Sequence, residues 1–158
     1  MIVGDPFNFA VQFDMVEQWN SDEFWRNGIF SLYINGVRLP NILDVTELRA
    51  SLACYIKLED IVASNGLEGI AAEYIYEKTN SYLFGDGTDY IDGVYDLTCT
   101  MMADAGCHAY WIGCAESEIF VWSLNGGENI ESASLPSGTF YLVASELKKI
   151  LEDDLKWR

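Results

Sequence analysis

The sequence predicts one α+β domain over residues 1–158, an antiparallel sheet built from N-terminal and C-terminal hairpins with helices packed on it. Three observations lead there. Apolar and polar residues alternate with period two early in the chain and again after residue 109. Helical stripes fill the middle and the C-terminal end, and no linker, repeat or low-complexity stretch divides the chain.

Phe7, Phe9, Val11, Phe13 and Met15 alternate with Asn8, Ala10, Gln12 and Asp14, the pattern of a half-buried strand. Phe30, Leu32 and Ile34 repeat it, Asn35-Gly36 supplies a type I′ turn, Val37–Leu39 returns, and Pro40 closes the hairpin. Asp44 or Thr46 can cap a helix running to about Leu52, and a second short helix fits Leu58–Ser64 before Asn65-Gly66. Residues 69–83 place Ile70, Ala71, Tyr74, Ile75, Tyr82 and Leu83 near one stripe that Gly85 stops, and residues 85–89 read as a loop. Ala109–Cys114 and Ile119–Leu124 flank a polar connection as a second hairpin, ended by Asn125-Gly126-Gly127, and Ile130–Leu135 adds a strand. After the break at Pro136-Ser137-Gly138, Val143, Leu147, Ile150 and Leu151 mark a C-terminal amphipathic helix.

The charge is strongly one-signed: 25 acidic residues against 9 basic, a net −16. It is also unevenly spread. From Thr79 to Leu147 there is no lysine or arginine, yet ten carboxylates: Asp86, Asp89, Asp92, Asp96, Asp104, Glu116, Glu118, Glu128, Glu131 and Glu146. Residues 146–158 balance four acids with four bases. Such a field repels nucleic acid and anionic membranes and attracts a basic surface. An ordinary solvated acidic surface also accounts for charge taken alone. Half the residues are apolar and the aromatics are abundant, which excludes a disordered acidic tail.

The four cysteines, Cys54, Cys99, Cys107 and Cys114, form no Cys-x-x-Cys pair, and a chain of this length needs no disulfide staple, so reduced thiols are expected. No basic stretch followed by an apolar run opens the chain, and no apolar run nears the roughly 20 residues of a membrane span. The expectation is a cytoplasmic protein without cofactor, with its oligomeric state left open.

Chemistry-bearing patterns are sparse. His108 is the sole histidine, and strand alternation sends it and Cys107 to opposite faces, against a dyad. Asp86, Asp89, Asp92 and Asp96 crowd a glycine-bearing loop, but they lack the alternating spacing and distal glutamate of a helix–loop–helix calcium site. No phosphate-cradling glycine motif is present. Two aromatic groups stand out: Trp19, Phe24 and Trp25, and, within the acidic stretch, Tyr90, Tyr95, Tyr110 and Trp111. Core packing is the expectation for each, with an interface of aromatic anchors ringed by carboxylates as the functional alternative.

Particular residues resemble a known family: Met1-Ile2-Val3-Gly4-Asp5-Pro6 with Phe9-Ala10, Trp19 with Phe24-Trp25-x-Asn27-Gly28, Tyr33-Ile34-Asn35-Gly36, and Asp104-Ala105-Gly106-Cys107. In that order they are similar to immunity proteins of bacterial polymorphic toxin and contact-dependent growth inhibition systems. The likeness is densest over residues 1–40 and weaker over about 95–124. It implies a small cytoplasmic inhibitor of a toxin domain, with no catalytic residues, with Gly4 and Gly36 at turns and with Trp19 and Trp25 in the core. Joined to the charge, it predicts a toxin with a basic surface, a nuclease with an RNase favoured, met by Asp86, Asp89, Asp92, Asp96, Tyr90, Tyr95, Glu116 and Glu118. A small carboxylate- or metal-dependent hydrolase and an acidic protein-interaction adaptor are the alternatives.

Overall fold

The computed structural model describes residues 1–21, 24–57 and 66–153, and it is α+β as the sequence predicts. Each set of hairpins forms its own antiparallel sheet. The first is built on β2 (Phe9–Met15) and β3 (Asn27–Ile34), which pair from Phe9 with Ile34 to Met15 with Gly28. β1 (Ile2–Gly4) lines the far edge of β2, while β4 (Val37–Leu39) and β5 (Val45–Glu47) share the far edge of β3. Asn35 and Gly36 both take positive φ, 51° and 81°, as the predicted type I′ turn requires.

The second sheet runs β6 (Tyr95–Asp96), β7 (His108–Gly113), β8 (Ser117–Ser123), β9 (Glu131–Pro136). Phe9, Val11, Phe13, Phe30, Leu32 and Ile34 of the first sheet join Ala109, Trp111, Phe120 and Trp122 of the second in one core. The Phe9 and Phe120 rings stack at 4.9 Å. Two helices complete this core: α1 (Leu48–Lys57), which buries Leu48, Leu52 and Tyr55, and α4 (Thr139–Asp153), whose Phe140 stacks on Trp111 at 4.5 Å. The short α3 (Thr100–Asp104) adds Met101 and Met102.

The opposite face of the second sheet carries a separate apolar layer. There Ile75 and Tyr76 of α2 (Ala72–Phe84) pack on Val94, Tyr110, Ile112, Cys114 and Val121. Every residue of β7 is therefore buried, half toward each layer. This placement makes α2 an outer wall, and it fixes which acids look outward.

Two sequence expectations shift locally. Of the residues read as the cap of α1, Thr46 lies in β5 and Asp44 just before it, and Glu47 takes the capping role: its carboxylate accepts the Ala50 N–H at 2.7 Å and the Arg26 N–H at 3.2 Å. The expected helix at Leu58–Ser64 lies outside the described residues.

Candidate partner-binding face

Eight of the ten carboxylates between Thr79 and Leu147 are on the surface; Asp96 is half-buried and Glu118 is buried. Asp86, Asp89 and Asp92 share the exposed segment that follows α2, with Tyr90 between them at 45% exposure. The segment is ordered by aromatic and polar contacts. The Tyr82 and Tyr90 rings lie 5.2 Å apart, the Tyr90 hydroxyl donates to the Val94 carbonyl, and Lys78 Nζ sits 3.5 Å from Asp89 Oδ2. That ion pair is solvent-exposed, so it adds little to stability.

Tyr95 and Asp96 belong to the wall behind this segment. Tyr95 is half-buried with its ring 5.6 Å from that of Trp111, and the Asp96 carboxylate accepts the Thr98 N–H at 2.9 Å. Burial pushes the Asp96 carboxyl above the ordinary aspartate value, against the pull of Thr98. Glu116 is exposed at the tip of the β7–β8 hairpin, away from the aspartate segment in sequence and on a different element.

Glu118 requires a correction. At 4% exposure it cannot meet a partner. It points inward because α4 begins beside it: Oε1 accepts the Gly138 N–H at 2.7 Å and Oε2 the Phe140 N–H at 2.8 Å. A carboxylate from a strand thereby satisfies donors at the start of a helix, where the helix dipole also favours negative charge. Burial pushes its carboxyl up, opposed by these two N–H donors.

Trp19, Phe24 and Trp25 overturn their core expectation, with 43%, 82% and 57% exposure. Polar bonds to the backbone hold this loop and leave its rings outside. Asn20 Nδ2 donates to the Val16 and Asn27 carbonyls, Asn20 Oδ1 accepts the Asn27 N–H, and Asn27 Nδ2 donates to the Trp19 carbonyl. Arg26 and Arg49 lie alongside, bonded to the Trp25 and Phe24 carbonyls. Tyr110 and Trp111 are in the core as expected.

The structure also gathers acids that are distant in sequence. Glu73 and Glu77 on α2 face Glu128 and Glu131 across an open concavity of about 600 Å³, which Leu124, Asn125 and Gly127 also line. The i, i+4 spacing of Glu73 and Glu77 on a helix was the available signal. A second concavity, of about 420 Å³, lies between β5–α1 and α3 and is lined by Asp44, Glu47, Asp104 and Cys99. Burial pushes the Cys99 thiol up, and the Ser51 hydroxyl there is engaged with Thr46 Oγ1 and the Glu47 carbonyl.

Cys107 and His108 are not activated as a nucleophile and its base. Burial pushes the Cys107 thiol up to about 12 and pushes the His108 imidazole down, so both stay neutral near pH 7. Cys107 faces the main core, while His108 lies against the Phe84 ring at 4.3 Å. The four cysteines are unpaired, and among the described residues no three His, Cys, Asp or Glu side chains converge as a metal site.

A family model described as Immunity protein 42 matches residues 1–150. The chain belongs to this immunity protein family. Its fold is shared with CdiI from Burkholderia dolosa AUO158, known from a crystal structure, with a TM-score of 0.74 over 98% of this chain and 100% of that one. At 20% identity that likeness speaks for the fold. No curated protein matches the chain. Three exposed features stand out on its surface: the aspartate segment, the acidic concavity beside Glu73 and Glu77, and the rings of Trp19, Phe24 and Trp25.

Proposed function

We propose that this immunity protein acts in the cytoplasm as a non-catalytic inhibitor. It binds a cognate toxin domain with a basic surface, a nuclease and more specifically an RNase, and keeps substrate from the toxin's active site. One observation carries the reading. The surface formed by α2 and the second sheet displays carboxylates at both ends of α2, Glu73 and Glu77 at one and Asp86, Asp89 and Asp92 at the other, with Lys78 as the cation between them. A nuclease needs a basic cleft for the phosphodiester backbone, and an acidic inhibitor can fill or cover that cleft. Opposite fields also speed capture, which favours an inhibitor that must act before its target does. No helix among the described residues is long and apolar enough to cross a membrane.

The test is Asp86→Asn, Asp89→Asn and Asp92→Asn combined, with Asp96→Asn as the control inside the wall. The triple variant should associate with the toxin about tenfold more slowly at low salt, and the rate should depend less on salt. Asp96→Asn should leave the rate alone. A triple variant with native rate and salt slope would remove the aspartate segment from the docking face. Trp19, Phe24, Trp25, Arg26 and Arg49 form a competing face, because exposed tryptophan and arginine are the residue types that dominate interface energetics. Trp25→Ala separates the two, as it should leave toxin affinity unchanged if α2 faces the partner.

A further inference from the structure

The second sheet ends in an edge whose pairing direction can be read. The Cys114 N–H bonds to the Ser117 carbonyl at 2.9 Å, so the ladder alternates from that pair. Ser117, Ile119, Val121 and Ser123 bond toward β7, and Glu118, Phe120 and Trp122 bond toward β9. The β9 residues opposite those three are Leu135, Ala133 and Glu131. The backbone groups of Ser132 and Ser134 consequently point away from the sheet, and both residues are exposed. Neither has a hydrogen-bond partner beyond β9 among the described residues.

This edge differs from the others in the protein. β9 has six residues, whereas β1, β4 and β5 have three and β6 has two. Edge strands are usually protected by lysine, an internal proline or a cover. β9 has no lysine, and its proline, Pro136, stands at its last position. Its ends are acidic. Glu128 and Glu131 join Glu73 and Glu77 around the concavity at its head, and exposed Glu116 precedes Ser117, which pairs with Pro136 at its tail.

We propose that the open edge of β9 receives an extended segment of the toxin as an added strand, with a lysine or arginine of that segment lodged in the acidic concavity at the head of β9. The inference rests on the immunity reading above. Main-chain bonds to Ser132 and Ser134 supply the attachment, and the carboxylates at both ends select a basic strand over a neutral or acidic one. The acidic ends also oppose pairing of β9 with the same edge of a second copy.

The experiment uses the full chain and the toxin domain encoded beside it, carrying an inactivating change. Amide exchange is followed at Ser132 and Ser134 in the free and bound protein, and affinity is measured for wild type and Ser134→Pro. Proline at 134 removes an N–H that the fold does not use, so the melt should hold while affinity falls about tenfold. Both amides should exchange at least tenfold more slowly in the complex. Glu73→Gln with Glu77→Gln and Glu128→Gln should weaken binding further as salt is lowered, relative to wild type. If wild type binds but both amides exchange as fast bound as free, the added strand is wrong and the immunity reading stands. Concentration-dependent protection of these amides without toxin would assign the edge to a second copy and overturn the proposal. Failure of wild type to bind the toxin or protect cells producing it would sink the immunity reading and this inference together. Should Ser134→Pro fail to fold, the wild-type amides decide.

Discussion

Removing the Glu118 carboxylate should weaken the whole fold, although the residue lies in the acidic stretch and looks like surface in the sequence. Glu118→Ala removes two hydrogen bonds to a charged acceptor, at 2.7 Å from the Gly138 N–H and 2.8 Å from the Phe140 N–H. The Phe140 N–H bond is buried, so its donor is left unsatisfied at a cost of about 1–3 kcal/mol. The Gly138 N–H is partly accessible and can find water, which leaves a cap-sized loss of about 1 kcal/mol. Relief of the buried charge offsets part of this, so the net loss should be about 2–3 kcal/mol. For a chain of this size that is a fall in Tm of roughly 5–10 °C. Urea denaturation followed by circular dichroism measures it. Glu118→Gln should lose nearly as much, because one of its amide faces is a donor turned toward a donor.

The pH dependence gives the same residue a second test. The folded-state pKa of Glu118 is raised above its ordinary value, so its contribution is fully present below the unfolded-state pKa and is lost as pH rises through the folded one. The stability gap between wild type and Glu118→Gln should therefore widen as pH falls from neutrality toward about 4.5, the ordinary glutamate value. A loss below about 0.5 kcal/mol for Glu118→Ala would refute the view that this side chain anchors α4, whereas a gap that narrows on acidification would mean that the two N–H donors outweigh burial at this carboxyl.

Two further substitutions contrast surface with core. Leu142→Ala, at a position 69% exposed, should change unfolding free energy by less than about 0.5 kcal/mol, whereas Trp111→Ala should cost about 3–5 kcal/mol by opening the stack on Phe140; denaturant melts of the pair check both. Gly4→Ala should cost at least about 2 kcal/mol in the same assay, because Gly4 holds φ 96° and a Cβ there runs into the Phe9 carbonyl and Val143.

Most of the fold was legible because its main strands carry strict alternation. Phe9, Val11 and Phe13 against Phe30, Leu32 and Ile34 is a pattern that only a sheet with one buried face satisfies. Short elements were not legible: β1, β5 and β6 have two or three residues, too few to show a period. β5 was also disguised by Asp44 and Thr46, whose side chains suit a helix cap as well as a strand end. In the candidate site, the start of the aspartate segment was readable as a loop because Gly85 and Gly87 flank Asp86. The burial of Glu118 was not readable, since its partners lie 20 and 22 residues away and only the tertiary fold brings α4 back to β8. Trp19 and Trp25 misled for a different reason: large aromatics are usually buried, but here both stay largely exposed while Asn20 and Asn27 bond to the neighbouring backbone.

The distribution of the bases sharpens what the charge can do. Among the described bases, Arg38 is in the first sheet and Arg26 just before it, Arg49 and Lys57 are in α1, and Lys148 and Lys149 are in α4, whereas the α2 side of the second sheet has Lys78. An evenly acidic particle would attract a basic partner from every direction with equal strength. A particle whose described bases, Lys78 apart, stand away from α2 also turns as it approaches, because the field then carries a direction as well as a magnitude. Glu118 contributes nothing to that field, being spent on α4, and half-buried Asp96 contributes little. The directing charge therefore comes from Glu73, Glu77, Asp86, Asp89, Asp92, Glu128 and Glu131, which stand on α2 and the segments beside it. Relocating Arg38 of the first sheet and Arg49 of α1 to exposed α2 positions, at constant net charge, should slow toxin capture even though the global attraction is unchanged. Equal capture rates for the relocated and native proteins would mean that net charge alone sets the encounter.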